Sequence, residues 1–268
     1  MNESSAPSND TRAPVDRFAA TISEEELHKA HSPAAHSNCD PLRCLLSEDA
    51  PFNRYTGSMI LRLLVASTSA GKLRDFRTAA MAYAVRIDPL PGLDEIPAPA
   101  EDGDTFAANA TLKAVYYSRF APGELVLADD SGLEVDALSG APGVRSARFA
   151  ADSGLVDSPD ANDNTDVWNN VLLLQRMEGV PVIRRTARYR CVLAAARDGA
   201  ACHVAEGTVE GMILEAPRGS GGFGYDPLFV KHEYNKSFAE LEESVKNRIS
   251  HRRKALDKIL PSLESLSE

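Results

Sequence analysis

Two adjacent carboxylates, Asp129 and Asp130, open the stretch Asp-Asp-Ser-Gly-Leu. They directly follow Leu125-Val126-Leu127-Ala128, an apolar run of buried-strand type. Ser131-Gly132 reads as a break in that run. Acids at a buried strand end are costly unless something positive meets them. A divalent metal, or a proton to be moved, provides that compensation. Magnesium suits such a site, because it takes a few carboxylates together with waters and phosphate oxygens. The plainer alternative is a strand-end pair capping the backbone of Ser131-Gly132. Ser131 lacks the G-x-S-x-G context of a nucleophilic serine.

Four other groupings have residue types fit for chemistry. Ser67-Thr68-Ser69-Ala70-Gly71-Lys72 is a small-residue turn between a strand and a helix. Its backbone N–H groups, the helix start and Lys72 together suit a polyphosphate. It is not a Walker loop, and an ordinary strand-to-helix connection has the same look. Asn109 and Lys113 stand four apart and share a helix face. They are either a solvated stripe or a pair in which Lys113 faces phosphate while Glu101 holds a metal. Ser220-Gly221-Gly222-Phe223-Gly224-Tyr225-Asp226 combines glycines for close backbone approach with a flat ring for a base. A flexible loop is the other reading. Lys246 to Lys254 is a basic cluster containing His251 and Arg252. It is either a solvated helix face or the wall of an anion pocket.

These groupings need elements to position them. Ile60–Ala66 reads as a strand and Leu73–Tyr83 as a helix. Prolines at 89, 91, 97 and 99 mark a loop. Asp104 is the expected cap of a helix from Thr105 to Arg119. Leu125–Ala128 and Leu133–Leu138 read as separate strands. Asp166 is expected to cap a helix with Val167, Val171, Leu174 and Met177 on one side. Thr186–Arg197 and Ala201–Leu214 form a hairpin about Asp198-Gly199. Leu228–Lys231 is a strand, and one helix is expected from Ser244 to Leu260. Mixed strands and helices with an antiparallel pair define an α/β class with a mixed sheet.

The chain has 268 residues and a net charge of -10. That charge argues against broad binding to a nucleic-acid backbone, which wants a basic surface. No apolar run approaches the ~18 residues that would span a bilayer, and no secretory signal pattern opens the chain. Of the four cysteines, Cys191 and Cys202 read as small buried hydrophobes, with a cross-hairpin disulfide the lesser alternative. A reduced cytoplasmic setting follows. Residues 1–58 read as a disordered extension ahead of one domain over residues 59–268. A short helix at Ser23–Ala30 is the one element expected there. His28, His31, His36, Cys39 and Cys44 match no standard zinc spacing.

Taken together, the motifs resemble the inosine-triphosphate pyrophosphatase family, the XTP/dITP diphosphatases. The residues that carry the resemblance are Ser67 to Lys72, Asp104-Thr105-Phe106 with Asn109 and Lys113, Asp129 to Leu133, Gly140 to Gly143, Ser146 to Phe149, Gly221 to Pro227, and Ile249 to Arg252. They run in order from about Leu61 to Leu260. The resemblance implies a two-lobed α/β fold, with a long central mixed sheet flanked by helices and a deep cleft. It implies a homodimer and Mg2+-dependent hydrolysis of a nucleoside triphosphate to monophosphate and pyrophosphate. On that reading Asp130 is the catalytic acid/base and, with Glu101, a metal ligand. Ser67, Thr68, Ser69, Ala70, Gly71, Lys72, Lys113 and Ser131 bind the phosphate end. Phe223, Gly224, Tyr225, Asp226, Lys246, His251 and Arg252 line the base and sugar pocket. A 6-oxo purine is preferred if donors near His251 and Arg252 meet its oxygen, since adenine would leave a donor unpaired at a cost of ~1–3 kcal/mol. Three positions depart from the family pattern. Ser69 stands in place of Asn, Ala108 in place of Glu, and Asp102 follows the metal-site acid where Thr is common. Two other classes share some of these features, a nucleotide sensor without turnover and a Maf-like pyrophosphatase.

The extension lies outside every motif. Removing residues 1–58 is therefore expected to leave nucleotide hydrolysis within about twofold, the change expected when no contributing contact is lost. An inactive or unfolded truncated protein would show that the extension is structural.

Overall fold

The computed structural model describes residues 61–155 and 165–264, all within the unit Ser58–Glu268. The expectations for residues 1–58, and for the polar loop at 160–164, lie outside the described residues. The core is a seven-stranded open mixed sheet in the order β2-β1-β3-β4-β5-β6-β7. Strand β1 is Leu61–Val65, β2 Val85–Pro89, β3 Leu125–Val135, β4 Thr186–Arg197, β5 Ala200–Ile213, β6 Phe229–Lys231 and β7 Lys236–Ser237. Strands β1, β2 and β3 run parallel, and β3 through β7 pair antiparallel.

Among the described residues, the α-helices longer than one turn are α1 (Ala70–Ala80), α2 (Phe106–Ser118), α3 (Thr165–Arg176), α4 (Glu243–Ile249) and α5 (His251–Glu264). Side-chain alternation along the strands assigns them to faces. Leu63 and Val65 of β1 and Leu125 and Leu127 of β3 pack with Phe76 of α1 and Leu256 of α5. The intervening Leu64, Val126 and Ala128 pack with Phe106, Ala110 and Ala114 of α2. A third cluster joins Leu173 of α3 to Leu133, Tyr189, Tyr225, Phe229 and Phe238.

The two parallel crossovers run in opposite directions across the sheet, the second passing back over β1. One runs through α1 to β2, the other from β2 through α2 to β3. The carboxyl ends of β1 and β3 therefore form a switch point, where α/β sheets open a crevice for ligands. The register sharpens this. β1 pairs with β3 only as far as Val65 opposite Leu127. Asp129 and Asp130 lie just beyond, where β3 has lost its neighbour on that side.

Several elements depart from expectation. Ser131-Gly132 does not break the strand; β3 is continuous for 11 residues. Gly132 is needed because a Cβ there would collide with Ser146 and the Gly143 carbonyl. A strand glycine here marks close backbone approach rather than an end. α1 starts at Ala70, earlier than expected, because the Ser69 hydroxyl caps it by accepting from Lys72 N. Thr105, not Asp104, caps α2. The buried face of α3 contains Asn169, Leu172 and Leu173, while Val167 is half exposed. Asn169 is drawn inward by bonds to Ala150 N and the Ala147 carbonyl. The single C-terminal helix is two. Ser250 takes extended backbone (ψ 154) between α4 and α5, and its hydroxyl accepts from Arg253 N. Gly207 of β5 faces the first turn of α5 at a spacing that leaves no room for a Cβ. Cys191 and Cys202 are both free thiols. Cys191 stands opposite Gly207, and Cys202 lies well along the hairpin beyond it.

Overpacking a tight core site typically costs about 1–3 kcal/mol. Gly132→Ala is expected to destabilise within that range, read as a lower urea midpoint. An unchanged midpoint would mean that Gly143 and Ser146 yield freely.

Candidate active site

Adjacent strand residues point to opposite faces, so Asp129 and Asp130 cannot share one ion as a pair. Asp129 faces the α1–α5 side. Its carboxylate is 2.9 Å from Lys72 Nζ and accepts from Ser131 Oγ at 3.1 Å. Burial alone would raise its pKa; the charges of Lys72, Arg252 and Lys113 outweigh that and hold it below the usual range. Ser131 Oγ in turn accepts from Arg252 Nη2, and Arg252 Nη1 donates to Asp75 of α1. A continuous polar chain thus runs from the first loop to the start of α5. Burial raises the Asp75 carboxyl, although Arg252 opposes this.

Asp130 faces the α2 side. Asn109 Nδ2 donates to its Oδ2 at 3.0 Å, and Lys113 Nζ lies 3.8 Å from its Oδ1. Burial is the leading influence and leaves the carboxyl above its ordinary value, with Lys113 and Asn109 pulling the other way. The same ammonium is 2.8 Å from Glu101 Oε2. Asn109 is almost wholly buried and also pins Gly103, on the loop after Glu101, through both its amide atoms. Arg148 Nη2 holds the Glu101 carbonyl. Asn109 and Lys113 are therefore part of a built cluster, not a solvated stripe.

A positive charge already bridges Glu101 and Asp130, and both offer hard oxygens. Among the described residues no group of three or more His, Cys, Asp or Glu could hold a metal. Two carboxylates fit magnesium, which completes its shell with waters and phosphate oxygens rather than an all-protein cage.

The glycine-rich segment lies beyond the first loop. Gly71 passes so close to the Phe223 ring that a Cβ would crowd it at 3.1 Å. Lys246 Nζ and Arg252 Cζ sit 5.6 and 5.0 Å from the ring centroid. Gly222 has φ +79, and a Cβ there would strike the Asp226 carboxylate. Asp226 organises this corner. It takes Phe223 N and Lys246 Nζ on Oδ2 and Tyr189 OH on Oδ1. His251 is buried and stacks on Tyr189 at 4.8 Å. Burial, with Arg252 and Lys246 nearby, depresses its pKa well below the ordinary value and keeps the ring neutral. Its Nδ1 has no protein partner.

Not every expected pocket residue faces this space. Tyr225 turns into the third core cluster and donates to the Ser146 carbonyl. It supports the corner from behind. Ser69 is the cap of α1 and Ser67 accepts from Ser69 N. Lys72, Lys113, Ser131, Phe223, Asp226, Lys246, His251 and Arg252 are tied by the contacts above. Asn109 and Asp129, read as candidates without an assigned role, join them through these contacts, as do Asp75 and Tyr189, which the sequence reading did not single out. Asp75 had a readable signal, one helical turn after Lys72. Tyr189 had none, since its partners lie far along the chain.

Fold and site together define an α/β protein with a buried charged cluster at a sheet switch point. The model of the Ham1 family matches residues 63–262, and the chain belongs to that family. It is 57% identical over 205 residues to a dITP/XTP pyrophosphatase of Acidobacterium capsulatum, covering 76% of this chain and 99% of that protein. It is 47% identical over 209 residues to one of Desulforamulus reducens, covering 77% and 97%. Among solved structures, a HAM1 protein from Coxiella burnetii superposes with a TM-score of 0.64 at 33% identity, covering 78% of this chain and 100% of that one.

Asp129→Asn leaves Lys72 short of its charge partner. Lys72 keeps 23% side-chain exposure, so a loss of about 2 kcal/mol is expected, below the 3–5 of a fully buried pair. The native carboxyl titrates below its unfolded value, so its contribution is present above that value, near ~3.9, and is lost as pH falls through the folded one. The stability gap between native and variant should therefore close below about pH 4. A gap that persists unchanged at pH 3 would remove the ion pair as its cause.

Proposed function

We propose that this protein hydrolyses non-standard purine nucleoside triphosphates, of the dITP and XTP kind, to the monophosphate and pyrophosphate. The observation that carries the reading is the cluster at the open edge of β3. There Asp130, fixed by Asn109, stands beside Lys113 and Glu101 on one face, with Lys72 on the other. The Ham1 family relatives named dITP/XTP pyrophosphatase support the same activity.

Lys72 and Lys113 hold phosphate oxygens, exchanging part of their carboxylate contact for the substrate's charge. Asn109 fixes Asp130 Oδ2, so the carboxylate is pre-aimed. Asp130 takes the proton of the water that attacks the α-phosphorus. The bond from that phosphorus to the bridging oxygen breaks, and pyrophosphate leaves. Glu101 and Asp130 would hold magnesium, which when bound offsets negative charge on the phosphate oxygens. Phe223 offers its ring to the base. His251 and Arg252 border it, and the buried, unpartnered His251 Nδ1 favours a ligand polar group there. No described helix is long and apolar enough to cross a membrane. A cytoplasmic homodimer acting on a free nucleotide is the proposed setting.

Pyrophosphate release from dITP with magnesium, and far slower release from dATP, dTTP and UTP, is the expected assay result. Saturable binding without turnover would favour a sensor; comparable dTTP or UTP cleavage would favour the Maf-like alternative. Asp130→Asn should lower kcat at least ~100-fold, the scale of acid–base catalysis, with folding intact. Near-normal turnover in that variant would reject the role of Asp130.

A further inference from the structure

Helix α3 contributes no residue to the pocket described above, yet its first turns hold the segment that carries the base platform. Asp166 Oδ2 accepts from Gly224 N at 2.6 Å. Asn170 Nδ2 donates to the Gly224 carbonyl at 2.9 Å. Four residues apart, the two side chains share one helix face. They take both polar groups of a single glycine. Gly224 has φ +63, a left-handed conformation open to glycine at little cost. On the other side, Asp226 accepts from Phe223 N with Oδ2, and its own N donates to the Phe223 carbonyl. All four backbone polar groups of Phe223 and Gly224 are thus engaged. Half of them depend on α3.

The Asn170 amide is held for its nitrogen. Nδ2 donates to the Asp166 carbonyl as well as to Gly224. Its Oδ1 is buried with no partner. Turning the amide over would set that oxygen against two carbonyl oxygens, so this orientation is the one the contacts allow. An amide serving only the surface would shed the unpaired acceptor by swinging to water. The helix beneath is rigidly placed. Asn169 ties it to the Ala147 and Ala150 backbone, and Leu172, Leu173 and Met177 are buried. A clasp on such an element can fix an orientation to a fraction of an ångström.

We propose that Asp166 and Asn170 are positioning residues that clasp Gly224 and thereby hold the Phe223 ring ready to stack on a purine base. This rests on the nucleotide reading given above. Pre-ordering the platform lowers the entropy lost on binding. It acts equally on bound substrate and transition state, so its loss appears in KM and not in kcat.

Asp166→Ala and Asn170→Ala should each raise KM for dITP about 3- to 10-fold, the scale of re-ordering one side chain and its peptides at each encounter. kcat should stay within about twofold. Asp166→Asn keeps an acceptor and should restore near-native KM. Asn170→Asp loses the donor and should behave like the alanine variant. Unchanged KM in both alanine variants overturns the clasp. So does a joint fall of kcat and thermal midpoint without a KM change, which marks a merely structural role. A second measurement needs no turnover. The chain has one tryptophan, Trp168, so Phe223→Trp combined with Trp168→Phe gives a single indole at the platform. Adding Asn170→Ala should increase its acrylamide quenching; equal quenching with and without Asn170 overturns the proposal. If the native protein does not cleave dITP, the activity reading fails, while the quenching comparison still decides the clasp.

Discussion

The alternation of side chains along β3 is the constraint from which the site follows. Two carboxylates on consecutive residues are driven to opposite faces of the sheet. Each must then find its own cation, because neither is exposed enough to rely on water. Asp129 finds Lys72 and Asp130 finds Lys113. The helices that supply those lysines are the two that the crossover topology sends to opposite faces. The open edge of β3 beyond Val65 is where the two half-sites come within reach of one extended ligand. A polyphosphate bridging that edge would meet the first loop on one face and the Glu101–Lys113 group on the other.

The charges are arranged so that the site is folded before anything binds. Lys72, Lys113 and Lys246 each have a carboxylate partner, and Arg252 has Asp75. Such pairing offsets the desolvation of isolated lysines. It also sets a threshold, since a ligand must offer more negative charge than the carboxylate that it displaces. A triphosphate does; a neutral nucleoside does not. The base corner is built differently, from a ring, glycines and Asp226 with both oxygens already used. On the proposed nucleotide reading, selectivity there would come from shape and from few free donors, with electrostatic attraction left to the phosphate end.

Much of this was legible in the chain. The Asp-Asp-Ser-Gly-Leu and Gly-Phe-Gly-Tyr-Asp-Pro motifs, the mixed sheet and the hairpin at Asp198-Gly199 are local patterns, and local patterns survive folding. What misled was punctuation. Ser131-Gly132 looks like a strand end, yet its glycine answers a neighbour, Gly143, that only the fold brings close. Ser250 carries no breaker signature, so one helix was expected where there are two. The inward face of α3 is set by Asn169, a polar residue that pattern reading assigns to solvent. Tyr189 belongs to the site through a contact 37 residues away in sequence, which no window can register, and Asp75, though one turn from Lys72, meets its partner Arg252 only across 177 residues. Tyr225 shows the converse, a motif residue whose ring serves the core.

The interruption at Ser250 has a consequence of its own. A helix keeps angular phase from residue to residue, so an unbroken one would tie the direction of His251 and Arg252 to everything upstream. Extended backbone at Ser250 resets that phase. The longer helix takes its rotation from Ala255, Leu256 and Ile259 in the core, and its first two residues inherit it. Drift in the length or pitch of the segment carrying Lys246 is absorbed at one joint, leaving the neighbouring imidazole and guanidinium aimed as before.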